Sequence, residues 1–125
     1  MKIEISDGDL IDKFTILKLK LENISHQKQK ENILKEYLYI SEQIQGLMQN
    51  QKIYDLYVKL VDTNNQLWQI EDAIRIKEKN KSFDSDFIEL ARKVYITNDL
   101  RASIKKEINC LTESNFIEEK SYEQY

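Results

Sequence analysis

Proline is absent from this chain, and glycine occurs only at Gly8 and Gly46. Strands and tight turns lean on both residues, whereas helix interiors exclude proline and tolerate few glycines. The chain is therefore expected to be all-helical, and its apolar residues fall at helical steps. Leu10, Phe14, Leu17, Leu21 and Ile24 alternate steps of four and three. Ile33, Tyr37, Ile40, Ile44 and Leu47 do the same, the pattern of helices packed lengthwise on one another. Ile53, Leu56, Leu60, Leu67, Ile70 and Ile74 form a third stripe, with Tyr57, Val61 and Trp68 beside it. Phe87, Ala91, Val94, Ala102 and Ile108 form a fourth.

Local signals bound four helices. Ser6 and Asp9 have capping-box spacing ahead of the first, which runs to about Ile24. Asp9 and Asp12 are read as first-turn acids favouring the helix N-terminus, in preference to metal ligands. Ser25–Lys30 is polar and reads as a turn, with the only histidine, His26, inside it and no catalytic partner nearby in sequence. The second helix covers about Glu31–Met48 and ends near Gly46 and the polar run Gln49–Lys52. The third spans about Lys52–Lys79. After the charged link Lys79–Ser85, Asp84, Ser85 or Asp86 caps a fourth helix, Phe87–Leu111. Short connections make neighbours antiparallel. The expected architecture is one all-α domain, residues 1–125, an antiparallel bundle of four long helices. The segment Phe116–Tyr125 is rich in aromatics and should dock as a C-terminal tail.

Charge and length bound the function. The 125 residues carry a net charge of −3 with both signs interspersed, so no footprint for nucleic acid is expected. No run approaches the ~18 apolar residues of a membrane span. The start, MKIEISDGDL, lacks the apolar region of a signal peptide, and a cytoplasmic location is expected. The lone Cys110 excludes an internal disulfide and a cysteine metal site, and reads as a small packed residue.

The feature that asks for a function is a polar seam. Asn64, Glu71 and Glu78 recur at steps of seven within the apolar face of the third helix. Arg75 follows Glu71 by four, the favourable order for an intrahelical pair. Asn98, Arg101, Lys105 and Asn109 share an arc of the fourth helix. An antiparallel pairing of these helices sets Glu71 near Val94–Asn98, and Asn64 near Arg101 and Lys105. Such charges must be paired or hydrated. One reading is a hydrogen-bonded network that sets helix register, or a wet subunit interface. The other is a site for an anionic ligand built from Glu71, Arg75, Asn98, Asp99, Arg101 and Lys105. There the arginines would grip phosphate or carboxylate, and Glu71 or Asp99 would serve as base or metal ligand. Trp68, Phe116, Tyr122 and Tyr125 are candidate interface residues. The wide face of the third helix and the aromatic tail predict a homo-oligomer, most simply a dimer.

Known helical enzymes fit poorly. Di-iron bundles need Glu-x-x-His pairs. The all-α nucleotide pyrophosphohydrolases need paired acids, and here Asp9/Asp12 and Asp86/Glu89 are explained as helix starts. A helical chorismate-mutase-like site needs several inward bases, which the chain could supply, yet no such motif is recognised. P-loop, Rossmann and Ser-His-Asp patterns are absent. No metal or cofactor is expected.

The segments IEISDGDLIDKFTILKLKLENI, NNQLWQIEDAIRIKE, FIELARKVYITNDLRASIKKEIN and EEKSYEQY together resemble an uncharacterised bacterial and viral family of small helical proteins. They cover most of the chain outside Ser25–Lys59. Family members have Gly-Glu where this chain has Gly8-Asp9. Members occur alone or beside glycosyltransferase and surface-polysaccharide components. The resemblance implies an accessory role in glycan synthesis with a glycosyltransferase-type partner, and it implies no particular reaction.

Overall fold

A computed structural model describes residues 1–125. It contains four helices and no strand: α1 (Asp7–Asn23), α2 (Gln27–Met48), α3 (Gln51–Lys79) and α4 (Ser85–Thr112). The expected caps are present. Ser6 accepts a hydrogen bond from the Asp9 amide at 3.1 Å, and Asp84 accepts one from the Phe87 amide at 3.0 Å. Each satisfies an amide that has no partner within its helix. Asp84, of the three candidates, is the N-cap of α4.

One boundary differs. Gln27–Lys30, read as part of a turn, forms the first turn of α2. Gln and Lys are good helix formers, but a polar run carries no apolar period for a sequence reading to follow.

Helices α1 and α3 form the centre of the bundle. Each touches the other three, whereas α2 and α4 do not meet. The α1 stripe through Phe14 and Leu17 joins α2 and the first half of α3. Phe14 stacks on Tyr37 with ring centroids 4.6 Å apart and lies 6.0 Å from Tyr57. The core there comprises Ile11, Phe14, Leu17, Ile40, Ile44, Ile53, Leu56 and Leu60, closed by Ile104 and Ile108 of α4.

A second buried stripe runs along α1 through Gly8, Asp12, Thr15 and Leu19. At 3.6 residues per turn these lie nearly opposite Leu10, Phe14 and Leu17. This side faces α3 and α4. At Gly8, α1 lies directly against the backbone of α4. A Cβ there would stand 2.5 Å from the Lys105 carbonyl oxygen and 2.8 Å from Asn109 Oδ1, so only glycine fits.

Beyond this contact α3 and α4 continue as a two-helix arm. Past Asn64, α3 buries only Ile70, and before Arg101, α4 buries only Thr97. Phe87, Ala91 and Val94 are half-buried, so that part of the expected stripe packs against α3 alone. Cys110, expected to be packed, is exposed, because Ile108 and Asn109 take the inward positions at that turn.

The C-terminal tail lies on α4 with its aromatics largely outward. Phe116, Tyr122 and Tyr125 are exposed. Lys105–Glu118 (3.3 Å) and Lys106–Glu119 (3.1 Å) tether it. The Tyr125 hydroxyl donates to Asp99 at 2.7 Å, and its ring meets Tyr95 edge-on at 5.3 Å.

Candidate functional site

The polar residues of α3 and α4 converge as far as Asn64, Asn98, Arg101 and Lys105, but their counter-charge comes from α1. Asp12 begins the second turn of α1, past the free amides that would explain a first-turn acid. It is 4 % exposed. Arg101 holds it side-on, Nε donating to Oδ1 at 3.0 Å and a terminal nitrogen donating to Oδ2. Asn64 Nδ2 donates to Asp12 Oδ1 at 2.8 Å and to Thr15 Oγ1 at 2.6 Å. Thr15 in turn donates to the Asp12 carbonyl at 2.7 Å. A planar guanidinium fork matched to a carboxylate is the geometry in which a buried pair holds best.

A second layer surrounds this pair. Lys105 Nζ lies 2.9 Å from Asp9, 3.3 Å from Glu118 and 4.0 Å from Asp12. Burial pushes the Asp9 carboxyl up. The hydrogen bond and charge of Lys105 outweigh that and hold it below its ordinary range. Burial likewise pushes Lys105 down, and its three carboxylate neighbours more than reverse it. Hydrogen bonding to Asp12 raises Arg101 further, so both cations stay charged. Next along, the Gly8 amide donates to Asn109 Oδ1 at 2.6 Å, and Ser114 closes the end against Asp7. No buried side-chain nitrogen or oxygen lacks a partner.

The remaining candidate residues lie outside this network. Glu71 and Arg75 form the intrahelical pair at 3.3 Å, but the Arg75 side chain is 79 % exposed and does not enter the seam. Asp99 faces outward to the tail. Asn98 makes only a long contact, 3.4 Å, with Arg101. Trp68 lies with Ile16, Leu19, Leu67, Asn98 and Arg101 along an open groove of about 440 Å³, whose rim carries Glu71 and Asp72.

Asp12 is the residue sequence reasoning misplaced. The signal was available in the spacing of Gly8, Asp12, Thr15 and Leu19, which gives α1 a second face of small and polar residues. Hydropathy overlooks such a face.

The arrangement locks three helices with a saturated set of hydrogen bonds, and beside it leaves one groove partly lined by unspent polar groups. No group of three His, Cys, Asp or Glu side chains is placed to hold a metal ion. No helix is long and apolar enough to cross a membrane. No curated protein and no solved structure matches the chain. A family model covers residues 1–125 throughout, and the protein belongs to that family, DUF6165, a family of unknown function.

Proposed function

We propose that this protein is a small helical interaction and accessory protein, and that it self-associates through the α3–α4 arm. One observation carries the reading: the arm is two helices wide and exposes large apolar side chains along its length. Ile76, Phe83, Ile88, Tyr95, Ile96 and Leu100 all stand substantially in solvent. Two helices alone bury too little of their apolar surface, and contiguous exposed apolar area marks a contact site. The arm of a second copy, packed antiparallel, completes a four-helix cross-section and keeps two-fold symmetry. Tyr125 of the tail flanks this surface beside Tyr95.

The partner class follows from the resemblance to bacterial and viral proteins found beside glycosyltransferase and surface-polysaccharide components. It supports placing the protein with glycan-synthesis machinery in the cytoplasm, where a glycosyltransferase-type protein would be its client. The enzymatic alternative, an anion bound by Arg75, Arg101 and Lys105, has less support. Arg101 and Lys105 are already matched by Asp12, Asp9 and Glu118, and Arg75 lies apart.

Light scattering coupled to size exclusion at micromolar concentration tests the self-association. The expected mass is twice the 15.0 kDa of one chain, returning to one chain in Ile88→Glu/Ile96→Glu. A wild-type monomer at that concentration overturns it.

A further inference from the structure

The groove between α1, α3 and α4 is separate from the arm's outer surface, and its charge is not the one its arginine suggests. Arg101 lines it, but one edge of its guanidinium is spent on the buried Asp12 carboxylate, and its other terminal nitrogen makes a long contact of 3.4 Å with Asn98. Asn64 is spent in the same way. The charge that remains uncompensated is acidic. Glu71 is paired only with the highly exposed Arg75, through a solvated contact that contributes little. Asp72 is exposed and takes part in none of the ion pairs or side-chain hydrogen bonds of the chain. Trp68, half-buried, lines the same groove.

An anion entering here would meet two carboxylates and a guanidinium already neutralised. A cation would meet the same carboxylates and the face or edge of an indole, the aromatic ring that attracts cations best. Leu19 and Leu67 add apolar wall for a stem. The volume, about 440 Å³, falls in the range of small-molecule sites, roughly 300–1,000 Å³. We propose that this groove binds a small organic cation, an ammonium or guanidinium group on an apolar stem. The stem lies against Trp68 and Leu67, and the charge sits between Glu71 and Asp72. Glu71 and Asp72 belong to the arm, but none of the apolar side chains that carry the proposed self-association lines the groove.

The chain contains a single tryptophan, so its emission reports this groove alone. The full-length protein is titrated with phenethylamine, with phenylacetate as the anionic counterpart and phenethyl alcohol as the neutral one, at low ionic strength. A saturable change in Trp68 emission is expected with the amine, absent with the acid and weaker with the alcohol. Added salt should weaken the amine response, because the carboxylates are exposed. Asp72→Asn removes a charge with no partner in the chain, so its thermal melt should match wild type. It should bind the amine about tenfold more weakly, the loss expected when a hydrogen bond to a charged group becomes a neutral one. Glu71→Gln should act in the same direction. The proposal is overturned if the amine gives no saturable change up to millimolar concentration. It is overturned equally if phenylacetate or phenethyl alcohol binds as well, or if the Asp72→Asn/Glu71→Gln double variant binds the amine as tightly as wild type.

Discussion

The two ends of the α3–α4 hairpin carry similar chemistry at different depth. At the proximal end Arg101 meets Asp12 under α1, and the carboxylate side chain is 6 % exposed. On the distal arm Arg75 meets Glu71 with side chains 79 % and 44 % exposed. Both are arginine–carboxylate pairs, and the distal one is the one that sequence spacing announces. Only the proximal one is integral to the fold. Water screens the distal charges whether or not they meet, so pairing them changes little. At the proximal end water is excluded, and either charge alone would be stranded.

That contrast is sharpest in Arg101→Ala, which should cost about 3–5 kcal/mol in denaturant unfolding because it leaves Asp12 buried without a counter-ion. The double variant Asp12→Leu/Arg101→Leu should recover most of the loss, since two apolar groups of similar size replace the pair. A double variant as unstable as the single one would show that the hydrogen bonds to Asn64 matter more than the charges.

Gly8→Ala tests the same contact without altering charge. The added methyl meets the Lys105 carbonyl, which is helix backbone and cannot swing aside. The two helices must separate, at about 1–3 kcal/mol. An unchanged melting temperature would mean that α1 and α4 are not in such close contact.

Asp9→Asn probes the outer layer. Asp9 titrates below its ordinary value of 3.8 in the folded chain. Its stabilising contribution is therefore complete above that value and is lost as the pH falls through the lower, folded one. The variant should be less stable than wild type by about 1 kcal/mol near neutrality, the net worth of one hydrogen bond, and the gap should close below pH ~4. Lys105 makes the opposite edge, its contribution fading as pH rises through a value above 10.5. Stability measured against pH in both proteins checks the sign. A gap that widened in acid would reverse the assignment.

Arg75→Ala on the arm is the smallest effect, about 0.3–0.5 kcal/mol and reduced further by salt. A cost near that of Arg101→Ala would mean that Arg75 itself lies inside the arm–arm contact and not at its solvated edge.

The sequence by itself determined the four helices, two of their caps, the intrahelical Glu71–Arg75 pair and the approach of Asn64 to Arg101. These depend on residues close in sequence, or on antiparallel pairing across a short link, and local spacing encodes both. It could not show that α4 packs on the polar face of α1, with Asp12 89 positions from Arg101 along the chain. The second face of α1 is made of Gly8, Asp12 and Thr15, whose inward direction follows from close backbone approach and hydrogen bonding and not from hydrophobicity. Burial of that face by α4 is what turned a first-turn acid into the centre of the network. The same event neutralised the arginine that the sequence offered to an anion. Only the tertiary structure decided both, because the sign and strength of a charge's interactions depend on which partners share its exclusion from water.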